Sequence, residues 1–412
     1  MIAPARFDMK KPPVRQKNYL RVLTWFISLP VVWMRRLKII KTNMKKLKPP
    51  YLLLCTHMSF IDFMVTTACI FPRRANYVVA IDGFIGRETL LRKVGCICKR
   101  KFTNDIQLVM NLRKVIKNKD VLVLYPEARY SLIGTNACLP ESLGKLAKLL
   151  KVPVVVLKMH GNHINSPCWN LKKRNIRLCA EMEQLIDAEQ IQTLPTQKIN
   201  EMINEAFRYD EYLWQKENNI VVRYKERACG LHKVLYKCIR CGAEYQMDSF
   251  GDTLMCNHCQ AQWIMSQLGE LSGPEDAGTV HIPDWYEHLR GEVRREIDAG
   301  DYCVETDVIV ESLPNAEGYI PLGEGKLRHD MHGFTLEGVF GGEQFQLKKE
   351  PLSMYSCHIE YDYKGKGDCI DLSTLEDTYY IYPKNKACSV TKIALATEEL
   401  YKVYKTAART GE

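Results

Sequence analysis

The sequence of 412 residues predicts an α/β domain with a mainly parallel sheet, then a four-cysteine module, then a small β-rich domain with a C-terminal helix. Three observations carry this. Apolar runs at 51–56, 76–81, 121–126 and 152–159 alternate with helix-like segments around 62–70, 84–94, 105–117 and 141–150, as in a buried parallel sheet with crossover helices. Cysteines then arrive as two Cys-x2-Cys pairs, Cys238/Cys241 and Cys256/Cys259. From 302 to 382 the chain is Gly-rich and strand-like, and a helical pattern closes it near 391–408.

The N-terminal part is strongly basic. Formal charge is +22 over residues 1–230 and −12 over 231–412, so the two parts have different partners. The first 50 residues hold 13 basic side chains and a single acid, Asp8. Residues 19–34, YLRVLTWFISLPVVWM, are interrupted by Arg21 and Pro30 and fall short of the roughly 18 apolar residues of a spanning helix. Trp25, Phe26 and Trp33 beside a basic rim instead suit a segment lying in the headgroup region of an anionic membrane surface. No secretory signal is visible in the basic, proline-bearing first eighteen residues, so the 16 cysteines are expected in a reducing compartment rather than in disulfides.

The first strand, 51–56, leads directly to His57, and Asp62 lies five residues on. A histidine at the carboxyl end of a strand stands where α/β domains bind substrates. A carboxylate on one imidazole nitrogen leaves the other free to take a proton from an alcohol. After this pair come Gly83-Phe84-Ile85-Gly86-Arg87, the basic cluster Lys99-Arg100-Lys101, the block Tyr125-Pro126-Glu127-Ala128-Arg129-Tyr130-Ser131, and Val152-Pro153-Val154-Val155-Val156.

This succession, over roughly residues 20–210, resembles the glycerolipid (lysophosphatidate) acyltransferase family. The resemblance implies that His57 is the general base, that Asp62 orients it, and that an acceptor hydroxyl attacks an acyl thioester, acyl-CoA or acyl-ACP, without a catalytic metal. It also implies that Glu127, Arg129, Arg100, Lys101, Arg87 and Ser131 form the acceptor site. The first candidate acceptor is 1-acyl-sn-glycerol-3-phosphate, giving phosphatidate; another lysolipid or an amino-lipid is the alternative, and a non-catalytic membrane adaptor the rival class. The chain departs from the family's Pro-Glu-Gly-Thr-Arg-Ser block: Ala128 stands for glycine, Arg129 for threonine and Tyr130 for arginine.

Cys238, Cys241, Cys256 and Cys259 have the spacing of two knuckles closing on one structural Zn²⁺, and the segment resembles a zinc ribbon with Tyr245 and Trp263 as packing residues. His258 is expected to be exposed and not a ligand. The acidic sequence that follows argues against nucleic acid and for a protein contact or structural joint. Trp285, Leu289, Val293 and Ile297 recur at helical spacing and read as a core stripe. Many strands capped by one helix resemble a pleckstrin-homology-like fold. The expected organisation is a membrane-surface segment over 1–50, acyltransferase domain over 51–210, helical connector over 211–235, ribbon over 236–270, helical linker over 271–300 and β-rich domain over 301–412. The expected location is the cytoplasmic face of the cell membrane, peripherally bound.

Overall fold

The strands read from alternating apolar runs lie at the centre of a seven-stranded sheet. In the computed structural model, which describes residues 5–274, 278–385 and 387–410, these are β2 (Tyr51–Cys55), β3 (Ala75–Ala80), β5 (Val121–Leu124) and β6 (Val154–His160). Three further strands, β1 (Lys38–Thr42), β4 (Ile97–Lys99) and β7 (Cys179–Ile186), complete the order β1-β7-β6-β2-β5-β3-β4. Every neighbouring pair is parallel except β6 with β7. The sheet is therefore mixed, and the antiparallel return brings the start of β7 beside the end of β6.

β2 is buried on both faces and its pleat divides the core. Tyr51, Leu53 and Cys55 belong to the larger apolar cluster, which continues into the C-terminal units. Leu52 and Leu54 meet the other cluster, formed with Leu108 and Leu112 of α4 (Ile106–Lys117), Leu143 of α5 (Ser142–Leu150) and Ile199 and Ile203 of α8 (Thr196–Ala206). The remaining helices of this half are α1 (Asn18–Met34), α2 (Asp62–Ile70), α3 (Glu88–Val94), the single turn α6 (Asn162–Asn165), α7 (Ala188–Thr193) and α9 (Glu211–Glu217).

α1 is amphipathic in the inverse sense. Toward the protein it buries Leu20, Thr24, Ser28 and Val32, two of them polar, with the Thr24 hydroxyl donating to the Leu20 carbonyl at 2.7 Å. Outward it presents Tyr19, Val22, Leu23, Phe26, Ile27, Trp33 and Met34, with Trp33 81% exposed. No helix among the described residues is long and apolar enough to cross a membrane. The residues before α1 are a strap on the protein surface. Phe7 is buried against Phe84, its backbone N–H donates to the Pro314 carbonyl, Arg6 pairs with Asp377 and Arg15 with Asp120. Residues 1–4 of the expected surface segment lie outside the described residues.

Two boundaries shift. The connector expected to be helical over 211–235 is helical only in α9 and a short turn at Leu231–Lys233. The ribbon sheet, β8 (Met247–Phe250), β9 (Thr253–Cys256), β10 (Gln262–Met265), β11 (Leu271–Ser272) and β12 (Thr279–Val280), runs ten residues past 270. Residues 275–277 of the expected linker lie outside the described residues. Its helix is α10 (Ile282–Asp298), which buries Trp285, Leu289, Val293 and Ile297 as its spacing requires.

The C-terminal sheet is antiparallel throughout: β13 (Cys303–Ser312), β14 (Ile320–Asp330), β15 (Gly333–Phe340), β16 (Glu343–Lys349), β17 (His358–Glu360), β18 (Cys369–Ser373) and β19 (Thr378–Pro383), in the order β16-β15-β14-β13-β19-β18-β17. Its final helix, α11 (Val390–Thr410), buries Val390, Ile393, Ala394, Leu395 and Leu400 and meets α10 through Arg290 with Glu398 and Glu399.

Candidate active site and cysteine centre

β2 delivers His57 to the carboxyl end of the sheet, and α2 begins with Asp62. The Asp62 carboxylate is 1% exposed and fully occupied. One oxygen accepts from His57 Nδ1 at 3.0 Å and from the backbone N–H groups of Met58 at 2.6 Å and Ser59 at 3.0 Å. The other accepts from Asn162 Nδ2 at 2.7 Å. With the Nδ1 proton donated toward Asp62, His57 keeps Nε2 as its acceptor, the arrangement a general base requires. The ring stands between Tyr125 and Tyr130, with centroids at 4.4 and 4.5 Å, and its side chain is 24% exposed.

The 125–131 block acts on His57 through its main chain. Glu127 is fully buried: one oxygen accepts from the His57 backbone N–H at 2.7 Å, the other from the Ala137 N–H at 2.8 Å and the Tyr209 hydroxyl at 3.2 Å. Burial pushes its carboxyl up to about 7 while these donors and Arg129 pull it down. The Ser131 N–H donates to the His57 carbonyl at 2.8 Å, and the Ser131 hydroxyl donates to the Thr135 carbonyl. Both peptide groups of His57 are thus pinned, so Glu127 and Ser131 brace His57 where an acceptor contact was expected.

Ala128 has φ +56°, in the left-handed region that a side chain disfavours, at the position where the family carries glycine. Ala128→Gly is expected to stabilise the folded protein by about 1 kcal/mol, read as a raised denaturant midpoint at unchanged m-value.

The expected phosphate-binding cations are held by the C-terminal unit. Arg129 is buried and donates to Glu398 at 2.7 Å, to the Ser356 hydroxyl at 3.2 Å and to the Tyr130 carbonyl. Arg100 is buried too, and its guanidinium donates to the carbonyls of Leu313, Pro314 and Glu376 and to the Thr378 hydroxyl, all at 2.8–2.9 Å. Lys101 pairs with Asp371 at 3.1 Å and Asp82 at 3.8 Å. Only Arg87 of the expected set is exposed and free of an ion pair among the described residues. The structure therefore brings together His57, Asp62, Glu127 and Ser131, and turns Arg129, Arg100 and Lys101 toward the C-terminal unit. Asn162 and Tyr125 were missed. Asn162 follows a strand end in His160-Gly161-Asn162, a place where α/β sites gather, although nothing in the spacing links it to Asp62.

The two knuckles of the ribbon face each other. The Cys238 and Cys256 N–H groups donate to the Ala243 and Ala261 carbonyls, and Gly242 turns the first knuckle with φ +73°. The four sulfurs lie within 4.8 Å of one another, with Cys238–Cys259 and Cys241–Cys256 each at 3.8 Å. A tetrahedron with Zn–S bonds of about 2.3 Å has edges of about 3.8 Å, so the donor set fits a structural zinc ion. His258 is exposed and lies outside the cluster. Trp263 is fully buried behind the site, 4.9 Å from the Trp285 ring, whose Nε1 donates to the Lys237 carbonyl at 3.0 Å. Metal analysis should return one Zn²⁺ per chain. Chelation should expose Trp263 and Trp285, seen as a red shift in tryptophan emission; metal-free protein with native emission would refute the zinc assignment.

Residues 36–159 match the family model described as Acyltransferase. No curated protein matches the chain. Among solved structures, the chain is similar to the 1-acyl-sn-glycerophosphate acyltransferase PlsC of Thermotoga maritima, at 11% identity and a TM-score of 0.36, over 46% of this chain and 79% of that one. It is also similar to a protein from work on SsgB and sporulation in Streptomyces coelicolor, at 17% identity and a TM-score of 0.15, over 26% of this chain and 86% of that one. Similarity at these scores establishes no shared fold, and the family model carries the assignment. The His57/Asp62 pair and the 125–131 block lie inside the matched span: residues 36–159 form an acyltransferase domain.

Proposed function

We propose that this protein transfers a fatty acyl group from a thioester donor, acyl-CoA or acyl-ACP, to the free hydroxyl of a lysoglycerolipid, with 1-acyl-sn-glycerol-3-phosphate as first candidate acceptor. The observation that carries the reading is the Nδ1 bond of His57 to a buried, saturated Asp62. His57 Nε2 takes the hydroxyl proton as the oxygen attacks the thioester carbonyl. The tetrahedral intermediate then expels the thiolate, which recovers the proton from Nε2, so the base ends neutral. Cys238, Cys241, Cys256 and Cys259 would hold a zinc ion whose four positions they fill, and its contribution would be to hold the ribbon together.

Arg87 is the cation available to an acceptor phosphate. A second reading, an acceptor without a phosphomonoester such as another lysolipid or an amino-lipid, is favoured by the engagement of Arg100, Lys101 and Arg129 elsewhere. The outward apolar face of α1 and the basic residues around it support peripheral binding to an anionic membrane at its cytoplasmic face. We read the C-terminal unit as pleckstrin-homology-like: its seven-stranded antiparallel meander, with first strand beside last and one closing helix, supports this, and a protein partner is its proposed ligand.

Product mass spectrometry with acyl-CoA or acyl-ACP and a panel of lysolipids tests the reading and selects between acceptors. If lysophosphatidate is used, Arg87→Ala should raise its KM about tenfold and leave kcat unchanged, as expected on losing a charge-assisted phosphate contact. An unchanged KM would point to the second reading.

A further inference from the structure

On the flank of the same sheet end lies a groove of about 640 Å³ that the catalytic reading leaves unused. Lys38 of β1 faces Cys179 of β7, and Cys179 faces His160 of β6. Residues 34–36 and 173–177 therefore meet at the end of the sheet where His57 stands, and the chain after α9 closes the third side. The lining holds Arg35, Arg36, Lys173, Arg174, Arg177 and Arg223 and no acidic residue.

None of these six cations has an ion pair among the described residues. The guanidinium groups that are engaged meet neutral acceptors: Arg35 the Val31 carbonyl and the Asn165 and Asn175 side chains, and Arg174 the Arg227 carbonyl. Arg174 Nε is buried with no acceptor at all. Burial, with Arg227 nearby, holds its guanidinium down at about 10. Arg36 sits at φ +49°, a conformation that costs a long side chain energy and is retained here at the groove's rim. Unpaired like charges lining one concavity create a focused positive potential that an anion would relieve.

Along one edge the groove is apolar. Met34 belongs to its lining and is 67% exposed, and Trp33 beside it ends the outward face of α1. A soluble phosphate would leave that edge in water, whereas a phospholipid meets both parts at once.

We propose that this groove seats the phosphate of an anionic phospholipid, with Trp33 and Met34 entering the acyl-chain boundary beside it. The inference rests on the peripheral membrane reading above and extends it: the headgroup seat is completed by residues 173–177 and 223, far in sequence from the basic leader.

The test is co-sedimentation of the full chain with vesicles of phosphatidylglycerol and phosphatidylcholine, 3:7, at moderate salt. Lys173→Ala/Arg177→Ala/Arg223→Ala removes three exposed cations. At about fivefold per basic residue near an anionic surface, binding should weaken roughly 100-fold, with an unchanged melting temperature. Three changes on and just after α4, Arg113→Ala/Lys117→Ala/Lys119→Ala, should have little effect, and an equal loss there would reduce the effect to net charge and overturn the seat. Displacement of the protein from vesicles by micromolar coenzyme A would overturn the lipid assignment in favour of a soluble phosphate ligand. His57→Ala should bind vesicles like the parent, which separates failure of the seat from failure of the catalytic reading.

Discussion

His57→Ala should abolish measurable acyl transfer, with kcat falling at least about 10³-fold, while the protein stays folded and still binds vesicles. The side chain is partly exposed between two tyrosine rings and its main chain is held independently by Glu127 and Ser131, so its loss opens little of the core. Asp62→Asn should cost at least about 100-fold, because an amide can donate to Nδ1 and so stabilise the tautomer whose Nε2 carries the proton. Retained turnover in His57→Ala, measured by mass spectrometry of the diacyl product, would remove the general base from the mechanism and favour the adaptor reading.

The second large effect is on stability. Glu398 of α11 receives Arg129 at 2.7 Å on one oxygen and Arg290 at 2.8 Å on the other, with both carboxylate and Arg129 buried. Glu398→Ala leaves a buried guanidinium without its charge partner and should destabilise the protein by about 3–5 kcal/mol. Removing both partners, as Arg129→Met/Glu398→Leu, should recover most of that loss, since an uncompensated charge, and not the missing pair, is what costs. A double variant no more stable than the single one in urea unfolding would overturn this account. Retained KM for the acceptor in the double variant would also show that Arg129 is no substrate ligand. The two arginines hold the Glu398 carboxyl well below the usual carboxylate range. Its contribution is therefore fully present above the ordinary carboxylate pKa and is lost only as pH falls through the depressed folded value.

The central strands were legible because continuous apolar runs on β2, β5 and β6 admit little but a doubly buried sheet. The edges were not. β1, Lys-Ile-Ile-Lys-Thr, is exposed throughout and carries the charges edge strands commonly carry, β4 has three residues, and β7 alternates with glutamates on its solvent face. The His57/Asp62 pair and the four cysteines were readable because the residues that meet in space here also lie close in sequence. The fate of Arg100 and Arg129 was not, because their distant partners lie more than two hundred residues on, and those of Arg100 are mostly carbonyl groups, which leave no mark on a sequence. A basic side chain in a familiar motif says that a charge is wanted there, and it does not say by whom.

The strap at the N-terminus bears on how the chain is made. Arg6 waits for Asp377, and the Phe7 N–H for the Pro314 carbonyl. Arg100 and Arg129 likewise stay unmatched until residues 313–398 have left the ribosome. At about 5–20 residues per second, the first residues of the chain spend on the order of 20–75 seconds before their last partner is synthesised. A nascent chain ending near residue 300 would have the His57/Asp62 pair but would lack the partners of Arg100 and Arg129. The partner of Arg129 would come only with the final helix, which carries Glu398.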